Sequence, residues 1–433
     1  MAKKNNKHSK RVRNLVSICF LCAVVLSVST YAWFIGMKTV NVSSFDVEIA
    51  TTEGLYLSMD GTESSWTYSL DARNTEAYDG NTNVWAKDGL IPVSTIGEVD
   101  SNSSTMKLYD KGSLTASAGG YRLLTGRIAN NATTNDSDFY TEGDGYVAFD
   151  LFIKNLSGEE YYDDNEPLNE EAIYLTTNSA VTVSENGGVD GTGIENSVRV
   201  AFVQLGRVKA DTTDADTITG ITCDDVEGAT ADDDKVVTGI CRNASIWEPN
   251  DTKHVDNAIN WYKTACSKRT GATVSDDASY STGTACTTVV NGTANKTYAI
   301  SKVINISDQV DVYDGLNLYN ANTKMTSASY FDEDTTDDQR KAAKLVDYDY
   351  FTDTEKMETG NDRDQFMTLA PNSITKVRVY IYLEGQDVDN YDFAQLGKKI
   401  SVNFGFTKER YTEDDVDYEG PSTDITDTAS AGA

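Results

Sequence analysis

Residues 377–383 read Val-Arg-Val-Tyr-Ile-Tyr-Leu, and residues 400–406 read Ile-Ser-Val-Asn-Phe-Gly-Phe. In both stretches an apolar residue stands at every second position, which is typical of a strand that buries one face. The same pattern recurs in residues 147–153 and 198–202, and the glycine-rich residues 187–193 indicate a turn. The chain is therefore predicted to be mainly β, with an antiparallel, jelly-roll-like β-sandwich as its core.

A second strand pattern begins near the N-terminus. Phe45, Val47 and Ile49 alternate with Asp46 and Glu48. The pattern resumes at residues 55–59, after a break at a glycine. One face of this first strand is thus expected to need an apolar partner, either in its own sheet or at the open edge of a neighbouring chain.

Residues 207–350 depart from the strand pattern. Asp, Thr, Ala and Gly dominate the stretch 211–235, while residues 255–262 and 338–346 carry helical patterns. We predict an inserted, partly helical, disulfide-bearing region here; a continuous sandwich with long loops is the alternative. The remaining boundaries predicted are an N-terminal exchange strand at 33–50, a sandwich at 51–206 and 351–412, and a flexible acidic tail at 413–433.

The chain has six cysteines, and two of them lie in an N-terminal apolar run. The other four, an even number in an exported chain, allow three disulfide pairings. We favour Cys223 with Cys241 and Cys266 with Cys286, because each pair closes a loop of about 20 residues, which the chain-entropy model values at about 3 kcal/mol. A zinc site is the competing interpretation, but these four cysteines form no CxxC pair and His254 is the only histidine after His8.

Export is indicated by residues 1–34, where six Lys and Arg residues precede the uncharged apolar run 15–28. This is the order found in a secretory signal peptide. Thr30, Tyr31 and Ala32 place small residues at the two positions that a signal peptidase inspects, so cleavage after Ala32 is predicted. The mature chain would then be secreted or held at the cell surface.

An uncleaved membrane anchor is the alternative to cleavage of residues 1–32. Residues 14–36 carry no charge and are long enough to span a bilayer, and they are the one segment expected to contact a membrane. The formal net charge of −31 argues against nucleic acid as a partner, because phosphates would be repelled. The same acidic surface favours solubility and attracts divalent cations.

Sequence motifs for catalysis are missing, and we predict that the protein is not an enzyme. A zinc peptidase needs two histidines in His-Glu-x-x-His, whereas His254 stands alone, and no Gly-x-Ser-x-Gly elbow is present. No cofactor is expected, with calcium as the one candidate ion. Asp387, Asp389 and Asp392, in the loop between two strong strands, could supply oxygen ligands to it, although the spacing is not that of an EF-hand and solvated acidic loops are the alternative.

Residues 30–34 and 49–58 together carry a family resemblance. Thr30-Tyr31-Ala32, the aromatic pair that follows, and the segment Ile-Ala-Thr-Thr-Glu-Gly-Leu-Tyr-Leu-Ser resemble the start of the TasA/camelysin family of exported fibre proteins from Gram-positive bacteria. The resemblance implies a dedicated signal peptidase, a jelly-roll fold, and fibres in which the N-terminal segment of one subunit completes a sheet of the next. This chain departs from the family in its greater length, its cysteines and its insertion.

Carried onto this chain, the resemblance assigns the exchange role to residues 33–50, with Phe45, Val47 and Ile49 as the buried positions. The expected function is that of a secreted or cell-surface structural protein, a subunit of an extracellular matrix fibre. Its partners would be copies of itself or other matrix proteins. The alternative is a monomeric surface adhesin or ligand-binding module that acts through residues 207–350.

Overall fold

The computed structural model describes residues 41–412, except for 53, 73–80, 86–89, 96, 107, 113–122, 129–144, 185–190, 229–234, 271–273, 276–285, 288–289, 293–297, 301–344, 348–350, 353–362, 364, 386, 392–393 and 395. The predicted signal peptide, its cleavage residues Thr30, Tyr31 and Ala32, and the predicted tail at 413–433 lie outside these residues. Within the described part of the chain, no helix is long and apolar enough to cross a membrane.

The first sheet has the order β21-β11-β23-β1-β3, with β12 also paired to β23. Its strands are β1 (Asn41–Thr51), β3 (Ser69–Ala72), β11 (Glu171–Leu175), β12 (Ala180–Val183), β21 (Met367–Leu369) and β23 (Leu396–Thr407). The pairing of β1 with β23 is parallel, whereas the other pairings in this sheet are antiparallel. The first strand of the chain therefore lies beside the last one described.

The second sheet has the order β2-β10-β22-β13-β15-β20, with β4 paired to β10 and β14 paired to β13. Its strands are β2 (Leu55–Ser58), β4 (Asn83–Trp85), β10 (Val147–Asn155), β13 (Val198–Lys209), β14 (Thr238–Gly239), β15 (Ser245–Trp247), β20 (Phe351–Thr352) and β22 (Ser373–Leu383). The long strand β22 lies between β10 and β13 and is antiparallel to both.

Smaller elements complete the described chain. The short strands are β5 (Val93–Ser94), β6 (Val99–Asp100), β7 (Thr105–Met106), β8 (Tyr109–Gly112), β9 (Leu123–Ile128), β16 (Val274–Ser275), β17 (Cys286–Thr287), β18 (Tyr298–Ile300) and β19 (Leu345–Asp347). The helices are α1 (Ala215–Thr219) and α2 (Asp256–Thr270), with 3₁₀ turns at Pro167–Asn169 and Ile194–Ser197.

Apolar side chains from both sheets form one core between them. Phe202 of β13 packs edge-on against Phe404 and Phe406 of β23, with ring centroids 5.0 and 5.8 Å apart. The alternating residues of β22, among them Val379, are buried in the same core. These contacts confirm the prediction of a mainly β, sandwich-like fold; its jelly-roll connectivity stays a prediction.

The reverse face of the second sheet is buried as well, which the sequence pattern did not predict. Tyr380 and Tyr382 of β22 are fully buried in a second apolar cluster, together with Val93, Met106 and Leu108. Alternation shows which residues share a face of a strand, but not whether another segment covers that face. Here residues 93–108 cover it, so β22 is buried along its whole length.

The predicted insertion shares strands with the sandwich. Strand β13 continues past residue 207 to Lys209, and β14 and β15 pair with it, so residues 238–247 belong to the second sheet. Helix α2 confirms the helical pattern that begins near residue 255. The helix predicted at 338–346 is wrong at its end, because its last two residues lie in β19 and pair with β18.

Three charged side chains lie on the buried reverse face, at the contact of β10 with β22. The guanidinium Nε of Arg378 donates to Oδ1 of Asp150 at 2.7 Å, and the ammonium of Lys376 lies 3.3 Å from Oδ2. The backbone N–H of Thr82 also donates to Oδ2, at 2.9 Å. Burial alone would raise the pKa of Asp150, but these cations and hydrogen bonds hold it below its usual value of 3.8.

Replacing Asp150 with Asn should lower the free energy of unfolding by about 3–5 kcal/mol, because two buried cations lose their carboxylate. The matched control is Asp225→Asn, which removes an exposed pair with Lys235 and should cost less than about 1 kcal/mol. Chemical denaturation of the oxidised protein measures both. Equal losses in the two variants would contradict the assignment.

The low pKa of Asp150 also predicts how the stability difference between the wild type and Asp150→Asn depends on pH. The pKa of Asp150 is lower in the folded chain than in the unfolded chain. Its stabilisation is therefore present above the unfolded pKa and is lost as the pH falls through the folded one. The difference between wild type and Asp150→Asn should accordingly shrink below about pH 4, as measured by denaturation across an acid series.

Candidate functional site

Residues 41–50 of the predicted exchange strand lie in the inner strand β1 of the first sheet of their own chain, and residues 33–40 lie outside the described residues. Val47 and Ile49 are buried in the core and lie opposite Val402 and Phe404 of β23. The backbone of Phe45 pairs with β23 too, although its side chain lies outside the described residues. On its other edge, β1 pairs with β3 over four residues. Pairing within the chain, one of the two arrangements left open by the sequence, is the one seen here.

A very short connection joins β1 to the rest of the chain. Three residues, 52–54, separate the end of β1 in the first sheet from the start of β2 in the second. Gly54 has a left-handed φ of +84°, which favours glycine over residues with a side chain. The N–H of Thr52 donates to the carbonyl of Phe406, at the end of β23. The connection therefore ties the end of β1 both to β23 and to the start of β2.

The disulfide prediction is confirmed for one pair. Cys223 and Cys241 are bonded, with Cα atoms 4.8 Å apart, and they enclose β14 in an 18-residue separation. Cys266 lies in α2 and Cys286 in β17, but both side chains lie outside the described residues. Their pairing stays a prediction.

A group of buried carboxylates lies where β13 begins and β22 ends. We call it the acidic cluster; its members are Glu248, Glu384, Asp387 and Asp389, arranged about Arg199. Arg199 donates to Glu248 through Nε and to Asp387 through Nη2, the latter at 2.7 Å. Every one of these side chains is at least 97 % buried.

His254 joins the acidic cluster from the loop that precedes α2. Its Nδ1 lies 2.6 Å from Oδ2 of Asp389, and both side chains are fully buried. The other oxygen of Asp389 accepts the N–H of Val255 at 3.0 Å, and the N–H of Asp389 donates to Asp387 at 2.9 Å. Two of the predicted calcium residues, Asp387 and Asp389, therefore lie together, whereas Asp392 is outside the described residues.

Burial changes the protonation of the acidic cluster. It raises the pKa of Glu248 to about 8, against the pull of Arg199 and with a further contribution from Asp251 and Glu384. It likewise raises the pKa of Asp389 to about 6, against the hydrogen bond from His254. Both shifts have the same main cause, the loss of water around a carboxylate on burial, and neighbouring carboxylates add to each.

Sequence reasoning missed that His254 meets the loop at 387–391, and that Arg199 joins Glu248 to the same loop. These segments are more than a hundred residues apart, and no local pattern connects them. The one usable signal was the rarity of histidine, since a buried imidazole usually contacts a polar partner. The contact of His254 with Asp389 has the length of a charge-assisted hydrogen bond.

Comparison with protein-family models, with curated proteins and with solved structures gives no significant match for this chain. The resemblance to the TasA/camelysin family therefore stays a prediction made from residues 30–58 alone.

Gly193 allows the backbone to approach the acidic cluster. A Cβ at this position would lie 2.7 Å from Oδ1 of Asp389 and 2.8 Å from Val255, and its φ of +80° is left-handed. Gly191 has a similar φ of +70° but open space around it. The two glycines thus separate backbone strain from steric clash.

Gly191→Ala should lower the free energy of unfolding by the cost of left-handed backbone alone, about 1–2 kcal/mol. Gly193→Ala should cost about 1–3 kcal/mol more, because the new methyl group must displace Asp389 or Val255. Thermal or chemical denaturation compares them. Two variants of equal stability would show that the close packing around Asp389 is not required.

Proposed function

We propose that this protein is an exported structural subunit that assembles into fibres when β1 is exchanged between chains. The observation that carries the proposal is the place of β1. It is the first strand of the described chain, it fills the position between β23 and β3, and three residues join it to β2. An element of that kind can leave one sheet and enter the same position in another, as in domain swapping.

The interactions of β1 are the same within one chain and between two chains. Burying Val47 and Ile49 contributes about 1.5–3 kcal/mol each in transfer terms, and hydrogen-bonded ladders form along both edges. Exchange therefore keeps the ladders and core contacts of β1 and changes only those of the connection at 52–54, such as the bond from the N–H of Leu55 to the carbonyl of Thr52. Protein concentration then decides between the closed and the exchanged form. A linear polymer follows when each chain gives its β1 to the next and receives one from the chain before.

The acidic surface fits the same function. A net charge of −31 keeps chains apart through like-charge repulsion, which favours solubility before assembly. Export, predicted from residues 1–34, would bring the chain to a place where it can accumulate. The TasA/camelysin resemblance supports the proposal through those N-terminal residues and through the role the family gives its N-terminal segment.

The exchange can be detected with two variants that each carry one added cysteine. Glu48 of β1 and Asp71 of β3 are exposed and lie directly opposite each other. When Glu48→Cys and Asp71→Cys chains are mixed at high concentration and oxidised, exchange should give covalent dimers, because the two cysteines meet only between chains. Non-reducing gels measure the dimer, and electron microscopy of the same samples shows whether filaments form.

Placing both cysteines in one chain provides the complementary test. The double variant should lock β1 in its own sheet and abolish filaments, and a reductant should restore them. Mixing Glu48→Cys with Glu63→Cys, a cysteine at an exposed site out of register, should give no more dimer than the parent chain. Monomers under all of these conditions would contradict fibre assembly and direct attention to residues 207–350, as the adhesin alternative requires.

A further inference from the structure

The acidic cluster brings together donor atoms suited to a metal ion. His254, Asp387 and Asp389 each offer a ligand atom, and these atoms lie within 4.8 Å of one another. Nδ1 of His254 and Oδ2 of Asp389 lie 2.6 Å apart and share a hydrogen bond, so an ion bound by both atoms would replace the proton between them. All three side chains are fully buried, so their positions are fixed by packing.

A fourth oxygen is available in the same turn. Asn390 directly follows Asp389, and its Nδ2 donates to the carbonyl of Glu384 at 3.3 Å. Oδ1 of Asn390 has no hydrogen-bond partner in the described structure, although the residue is only 2 % exposed. A buried amide oxygen without a partner costs free energy unless a ligand satisfies it.

The charge of the cluster also favours a cation. Three buried carboxyl groups, Glu248, Glu384 and Asp387, lie around Arg199, and Asp389 lies beside Asp387. Acidic groups therefore outnumber the one guanidinium in a region without solvent. Carboxylate oxygens that already accept one hydrogen bond keep a second lone pair, so Asp387 and Asp389 can coordinate an ion without giving up Arg199 and Val255. A dication would compensate the excess negative charge.

We propose that this end of the sandwich binds one divalent transition-metal ion, Zn²⁺ or Mn²⁺, through His254, Asp387, Asp389 and Asn390. The imidazole decides the class of ion: calcium takes oxygen ligands, whereas zinc and manganese accept nitrogen beside carboxylate oxygen. The ion would tie the loop before α2 to the turn after β22. This inference does not depend on strand exchange.

The imidazole of His254 gives a direct test. In the full chain carrying His8→Gln, His254 is the only histidine, so its ring nitrogens give one pair of signals in a ¹⁵N-labelled sample. After treatment with chelator, one equivalent of ZnCl₂ should shift those signals and raise the melting temperature. The same amount of CaCl₂ should do neither.

A ligand variant and a surface variant complete the test. Asp389→Asn should weaken Zn²⁺ binding, measured by calorimetry, by more than roughly 100-fold. That is the loss seen when a residue that only supports a metal-coordinating side chain is replaced. Asp211→Asn, which changes an exposed aspartate, should leave the affinity unchanged. Unchanged His254 signals at saturating Zn²⁺ and Mn²⁺ would overturn the proposal even if Asp389→Asn does not fold, and so would a response to Ca²⁺ alone.

Discussion

The burial of β22 along its whole length is the constraint on which the rest of the structure depends. A strand with two buried faces must place its charged side chains against partners. The hydroxyl of Tyr380 accepts the N–H of Met106 at 3.0 Å, and Arg378 and Lys376 share Asp150. The segments that cover the reverse face are thus held by specific contacts as well as by apolar packing.

The same sheet carries two buried groups of charged side chains, one with more cations than carboxylates and one with more carboxylates than cations. At the contact of β10 with β22, two cations share the single carboxylate of Asp150. At the other end of β22, the carboxylates of the acidic cluster outnumber Arg199. Buried ionic groups add little net stability, but they tolerate few alternative arrangements. They therefore restrict how β10, β13 and β22 can pair.

The sequence was sufficient to predict the strands, because alternation is local and β10, β13, β22 and β23 all show it. It also predicted the Cys223–Cys241 disulfide from loop length. It could not predict that residues 93–108 would cover a second face, or that β13 would continue into the supposed insertion, because both depend on contacts between distant segments. The contact of His254 with Asp389 could not be predicted for the same reason, because the two residues are 135 positions apart in sequence.

The parallel pairing of β1 with β23 has a mechanical consequence. Residue 41 lies opposite residue 396 and residue 51 opposite residue 406, so the chain enters β1 at one pole of the sandwich and leaves β23 at the other. Tension applied through these two ends pulls neighbouring strands in opposite directions along their length. All the hydrogen bonds of the ladder then share the load in shear, so they do not open one after another. This geometry suits resistance to a pulling force.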